Sequence, residues 1–541
     1  MKKTAAVLAA FFILLPAVQA GACTNYLVTP GASTDGSTMI SYSADAHVLY
    51  GALYHHPARD WQPGTKIKVY EWDTGDYLGE IPQVPHTYNV VGLINEHQLA
   101  IGETTWGGRK ELRDSTAIID YGSLMFLTLQ RAKTAREAIH VMADLVDKYG
   151  YYSSGESFSI ADPEEVWFMD MIGKGPGNTG AVWVARRIPD GYISAHANQA
   201  RIRRFPLDDE DNCLYAPDVI DFAREQGYFE GKDREFSFVE AYAPADYGAL
   251  RFCEARVYAF FNRAAPSMDI SMDYVKGEPG AEPMPLFIKP DEKLSVHDVM
   301  ELMRDHFEGT DFDMTEDIGA GPYECPYRWR PLVWEVDSVQ YCNERATSTQ
   351  QTGFSFVTQS RADLPDPVGG IIWFGVDDTY STVYNPMYCG ITRAPAPFAE
   401  ATADFHNFSW DSAFWVFNWV ANYAYSRYSE MIEDIRIVQR ELEGEYLSSS
   451  REIDRAAAAI YEEKSPRHAA EYLTDYSCRV ADKTLKRWRK LGQDLLVKYM
   501  DGNLKDEHGN VLHPGYPKSW YRRIVEEKGE HFRMREMEND Q

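Results

Sequence analysis

The chain has 541 residues, 44% of them hydrophobic and 25% charged, which excludes a disordered, collagen-like or low-complexity polymer. Lys and Arg number 54 against 82 Asp and Glu, a formal charge of −28. So acidic a surface repels phosphate backbones and anionic lipid, and nucleic acid is not an expected partner. The length suits three to four ordinary domains, or one enlarged domain with an extension.

The N-terminus has the order of a secretory signal. Met1-Lys2-Lys3 leads an apolar stretch to Leu15, Pro16 breaks it, and Ala17, Ala20, Gly21 and Ala22 follow. The stretch is short for a membrane span. Residues 1–22 are therefore expected to be removed, leaving an exported protein, periplasmic or extracellular, with no stable membrane insertion. Cleavage after Ala22 makes Cys23 the first residue. Cleavage after Ala20 leaves Gly21-Ala22 as a short propeptide that the protein removes itself. Lipid attachment at Cys23 is a third reading, although Ala20 stands where a Leu-like residue is usual.

Next along the chain, residues 24–29 and 38–43 read as a strand hairpin around Asp35-Gly36, and 86–93 and 99–105 as a second pair around Asn95-Glu96. Asp114 is placed to cap a helix over 115–130. Thr134 and Glu137 form a capping-box pattern for a helix that stops at Gly150. Strands are expected at 165–172, 180–187 and 192–197, the last after the Asp190-Gly191 turn, and later at 370–375 and 380–384. From about residue 400 the character is helical: 413–442, 452–461 and 468–499, with a charged tail over the last residues. The aromatic stripe Phe414, Phe417, Tyr425 and Tyr428 reads as core. Strands, paired helices and hairpins predict antiparallel sheets with helices packed on them, an α+β chain rather than β-α-β repeats. The domains are expected at 23–399 and 400–541.

Seven cysteines occur without metal-ligand spacing, so bridges and buried free thiols both stay open. No His-Glu-x-x-His motif is present, the Gly173–Gly177 stretch lacks Walker spacing, and the acidic group Asp311, Asp313, Glu316 and Asp317 lacks the order of an EF-hand. Neither a metal nor a cofactor is expected. Cys23 carries the distinctive chemistry. As a new N-terminus, its α-amine, with an ordinary pKa near 7.7–8.0, lies beside its own thiol. The amine then takes the thiol proton and later returns it to a leaving amine.

The segments around that cysteine resemble peptidase family C69, the dipeptidases of the N-terminal nucleophile hydrolase superfamily. The resemblance rests on Cys23-Thr24-Asn25-Tyr26-Leu27-Val28 and Gly31-Ala32-Ser33-Thr34-Asp35-Gly36-Ser37-Thr38. It continues through Gly102-Glu103-Thr104, Ala161-Asp162-Pro163-Glu164-Glu165-Val166-Trp167 and Ala197-Asn198-Gln199-Ala200-Arg201-Ile202, then Ser381-Thr382-Val383-Tyr384-Asn385-Pro386 and Asp411-Ser412-Ala413-Phe414-Trp415. It implies a four-layer αββα sandwich, here with a helical C-terminal extension, and hydrolysis of dipeptides without metal. It also implies Cys23 as nucleophile, Asp45 beside its amine, and Asn198 at the oxyanion or the amine. Glu103 and Thr104 are expected to face the pocket, Glu103 to meet a substrate ammonium, and Thr105 to stand where related acylases carry an oxyanion asparagine. Tyr42 departs from the superfamily, which usually has an arginine there; Arg345 is the candidate for the missing charge. Family members often form oligomers, so a homo-oligomer stays open. Two alternatives remain: an N-acyl amide hydrolase, and a lipid-anchored binding protein.

Overall fold

A computed structural model describes residues 22–534. The expected leader lies outside these residues except for Ala22, as does the end of the charged tail. Two antiparallel sheets form the centre. The first runs, in spatial order, Phe287–Ile288, Ile193–His196, Ala22–Val28, Met39–Asp45, Thr352–Gln359, Ile371–Val376 and Asn385–Tyr388. The second runs Cys213–Tyr215, Ala181–Arg187, Val166–Gly173, Gly155–Ala161, Ala100–Trp106, Ile94–Asn95, Val90–Val91 and His55–His56. They stack face to face. Asn25 Nδ2 of the first donates to the Glu103 carbonyl of the second at 2.6 Å. His196 bridges them, with Nδ1 on Thr104 Oγ1 and Nε2 on Ser159 Oγ, both at 2.7 Å. Burial and two nearby arginines push its pKa well below the ordinary value, so it is neutral.

Helices cover both outer faces. Tyr121–Leu129 and Ala135–Tyr149 pack on the second sheet. Ala255–Ala264 and Val296–Leu302 pack on the first, where Phe260 stacks on Tyr26 at 4.0 Å between ring centres. The result is the expected αββα sandwich. A distinct helical region follows: Ala413–Ala424, then Tyr428–Glu463 and Pro466–Tyr499 side by side against the edge of the first sheet. Phe414, Phe417 and Tyr428 are buried there, and Tyr425 is partly so. No helix of the described residues is long and apolar enough to cross a membrane.

Several local expectations need correction. The helix expected at 115–130 starts at Tyr121, capped by Asp120 accepting from Ser123 N at 3.2 Å. Asp114 instead closes a turn onto Thr116. The strand expected at 86–93 breaks into two-residue pieces. The strand placed at 380–384 lies at Asn385–Tyr388, because Asp378 accepts from the backbone of Tyr380 and holds a turn first. The helices expected at 413–442 and 452–461 join differently, breaking at 425–427 and then running unbroken to Glu463. Of the last residues, Lys518–Phe532 is an exposed helix. All seven cysteines are free thiols.

Candidate active site

Cys23 sits near the start of the strand Ala22–Val28, paired with Ala44 in the register. It is buried, and in this chain its nitrogen is still a peptide nitrogen. That nitrogen donates to Asn198 Oδ1 at 2.8 Å. Asn198 has a φ of 62°, a left-handed conformation that Asn tolerates better than most residues. The turn that carries it is pinned beyond Asn198. Asp170 accepts from the backbone N–H groups of Arg201 and Ile202, and Arg201 pairs with Glu254 at 3.0 Å.

Arg256 completes this corner, and the sequence reading missed it. Nη1 donates to the Cys23 carbonyl and, at 2.8 Å, to Thr24 Oγ1. Nη2 donates to the Ala197 carbonyl at 3.1 Å and to Asn198 Oδ1 at 2.9 Å. Asn198 Nδ2 donates to the Thr105 carbonyl at 2.6 Å, so its two amide atoms have distinct partners and its orientation is fixed. Arg256 is buried and has no carboxylate partner among the described residues. Burial, then the like charge of Arg345, pushes its pKa down to about 10, so it stays cationic. One signal was legible: Arg256 is four residues before Phe260 on a helix face buried against the sheet. A lone arginine on such a face needs acceptors.

Asp45 is on the adjacent strand, paired with Ala22 just as Ala44 is with Cys23. Arg345 Nη2 pairs with it at 2.5 Å, Thr352 Oγ1 donates at 2.7 Å and Ser43 Oγ at 3.2 Å. Arg345 therefore brings a buried charge beside Asp45, from 300 residues away in sequence. Tyr42, in the place of the superfamily arginine, has a different task. Its hydroxyl donates to Glu103 Oε1 at 2.5 Å and lies 3.7 Å from Cys23 Sγ. Glu103 Oε1 itself is 3.6 Å from Sγ.

Glu103 and Thr105 share one face of the strand Ala100–Trp106, while Thr104 faces the other way. The Thr104 hydroxyl is taken by His196. Thr105 Oγ1 donates to Glu156 Oε1 at 2.8 Å. Glu156, on the neighbouring strand, is the acidic neighbour of Glu103, and neither has a cationic partner among the described residues. Burial pushes the pKa of both carboxyls up, and the charge of Glu103 pushes that of Glu156 further. Burial first, then Glu103 and Asp45, also push the Cys23 thiol well above the ordinary range. Cys23 is therefore a protonated thiol at neutral pH, and needs a base to act as a nucleophile.

A cavity of about 360 Å³ opens at this corner. Asn198, Arg256, Thr105 and Arg345 line it, together with Trp106 and Arg330. This is near the small end of the roughly 300–1,000 Å³ usual for small-molecule sites. Its edge includes Phe252 and Cys253, in the π-helical turn Ala249–Glu254 that leads into the helix carrying Arg256.

The sequence profile of peptidase family C69 matches residues 54–441. The chain belongs to peptidase family C69. The match begins beyond Cys23 and Asp45 and contains Glu103, Glu156, Asn198, Arg256 and Arg345. The chain is similar to a "Probable dipeptidase" of Salmonella dublin, 26% identical over 396 residues, covering 68% of this chain and 81% of that one. It is 26% identical to "Probable dipeptidase B" of Lactococcus lactis over 73% of this chain and 80% of the relative. "Probable dipeptidase B" of Streptococcus pyogenes serotype M1 is 20% identical over 90% of this chain and 94% of its own length. This C69 chain is thus a peptidase-class hydrolase with a buried cysteine in a polar setting.

Proposed function

We propose that this protein is an exported dipeptidase in which residues 1–22 are removed and Cys23, as the new N-terminus, is the nucleophile. Residues 23–399 form the catalytic domain and 400–541 a helical extension in this reading. The observation that carries it is the 3.6 Å between Cys23 Sγ and Glu103 Oε1. In an amino acid the α-nitrogen lies roughly 2.5 Å from its own carbonyl carbon. When that carbon touches Sγ, a free α-ammonium comes within reach of the Glu103 carboxylate. The small cavity favours a short peptide, and its arginine wall opposes a long acyl chain.

The freed Cys23 amine takes the Sγ proton as Sγ bonds the scissile carbonyl carbon, giving a tetrahedral oxyanion. The C–N bond then breaks, and the amine's proton goes to the departing amino acid. A thioester to Cys23 remains. Water, deprotonated by the same amine, attacks it, and the thiol is re-formed. Of the two roles considered for Asn198, holding the amine is the one its 2.8 Å contact with the Cys23 nitrogen supports. Arg256 orients Asn198, and the Asp45–Arg345 pair braces the neighbouring strand.

The test compares alanyl-alanine with propionyl-alanine, which has the same shape without the ammonium, on the mature protein and on Cys23→Ala. The reading predicts cleavage of alanyl-alanine at least a hundredfold better, and none by the variant. Equal cleavage of both compounds favours an N-acyl amide hydrolase. An active Cys23→Ala ends the mechanism.

A further inference from the structure

Three arginines line the cavity, and they differ in what already holds them. Arg345 is paired with Asp45. The Nη1 and Nη2 donors of Arg256 go to Cys23, Thr24, Ala197 and Asn198. Arg330 is different. Its Nε and Nη2 both donate to a single neutral acceptor, Gln351 Oε1, the Nε contact being 3.0 Å. Its Nη1 has no hydrogen-bond partner among the described residues, and no carboxylate pairs with it there. Gln351 also lines the cavity and fixes the edge of the guanidinium. Burial and the like charge of Arg345 push the Arg330 pKa down to about 10, which leaves it cationic at neutral pH.

Within this cationic wall Arg330 has no paired carboxylate, and its free edge suits an anionic group of the ligand. Glu103, with Glu156 on the neighbouring strand, is buried beside Sγ, and neither has a cationic partner among the described residues. The cavity lining is thus basic at Arg330, while the acidic groups beside Cys23 Sγ are buried and stand outside that lining. A zwitterion has that charge pattern, with its ammonium next to the scissile carbonyl and its carboxylate one residue further on.

We propose that Arg330 binds the free C-terminal carboxylate of the substrate through its Nη1 edge, and that this contact restricts the enzyme to dipeptides. A longer peptide would put a neutral amide opposite Arg330, and its further residues would have to pass the same wall. Arg330 is a specificity residue here. It does not touch the reacting atoms. The proposal rests on the dipeptidase reading above, but it fails separately from it.

The experiment measures kcat/KM of the mature protein for alanyl-alanine and for alanyl-alaninamide, which lacks the carboxylate, with Arg330, Arg330→Met and Arg330→Lys. The unaltered protein should prefer alanyl-alanine at least tenfold. Arg330→Met should lose at least tenfold on alanyl-alanine, mainly in KM, and less than threefold on the amide. Arg330→Lys, which keeps the charge without the planar fork, should fall between. Equal use of both substrates by the unaltered protein overturns the proposal without any variant. So does a uniform loss on both substrates in Arg330→Met, which would mark a structural role. If Cys23→Ala abolishes cleavage while Arg330→Met does not discriminate, the dipeptidase reading stands and this inference alone fails.

Discussion

Arg256→Lys is the sharpest perturbation of the corner around Cys23. The guanidinium serves two pairs of buried acceptors with two separate nitrogens: Cys23 O and Thr24 Oγ1 with Nη1, Ala197 O and Asn198 Oδ1 with Nη2. A lysine keeps the charge but gathers its donors on one nitrogen. It serves one pair and abandons the other. Each buried acceptor left without a donor costs about 1–3 kcal/mol, and Asn198 Oδ1 keeps the Cys23 N–H, so one or two acceptors are orphaned and the expected loss of stability is roughly 1–6 kcal/mol. If the abandoned pair includes Asn198, the Cys23 nitrogen loses its fixed partner. A displacement of the base by less than a bond length then lowers kcat by roughly tenfold to a hundredfold. Urea unfolding gives the first quantity, and turnover of alanyl-alanine by the mature protein the second. A variant within about 1 kcal/mol of the original and within threefold of its kcat would refute this reading of Arg256.

Arg345→Met leaves the Asp45 carboxylate buried without its cation. The expected destabilisation is about 3–5 kcal/mol, read by urea unfolding; the double change Arg345→Met, Asp45→Asn should recover part of it. In Gly155→Ala the new Cβ would stand 2.0 Å from the Trp106 ring, which lines the cavity and is tied to Ser157 Oγ through its indole nitrogen at 3.1 Å. Overpacking of about 1–3 kcal/mol and a raised KM are expected, and an unchanged KM would contradict the assignment of Trp106 as cavity wall. His196 is neutral in the fold and ordinary when unfolded. Below about pH 6.5 the unfolded chain binds a proton that the folded chain refuses, so stability falls as pH drops from there. His196→Gln should make the decline between pH 6.5 and 5 shallower, as measured by the unfolding midpoint at each pH.

The sequence made local features legible and left distant ones dark. The hairpin of the first two long strands and the capped helix Ala135–Tyr149 follow from signals within a few residues: Asp35-Gly36, Thr134 and Gly150. The strand Gly155–Ala161 was invisible because Glu156, Ser157 and Ser159 look like surface residues. All three are buried, Glu156 bonded to Thr105, Ser157 to Asp170 and Ser159 to His196. Cys23, Asp45, Glu103, Thr105, Asn198 and Arg345 stood out in the sequence, and the fold gathers them. Thr104 lies apart from them, since the two-residue period of its strand turns its side chain to His196. Arg256 and Arg330 carry no local motif. Their significance comes from what three distant segments bring to them, and in Arg330's case from what none of the described residues supplies.

The most direct test of the account is the N-terminus of the active protein, read by sequencing and intact mass alongside turnover of alanyl-alanine. The account predicts that activity appears only with a free Cys23 at position one, because its amine is the base. Full activity in protein that still carries Ala22, or whose Cys23 amine is acylated, would contradict it.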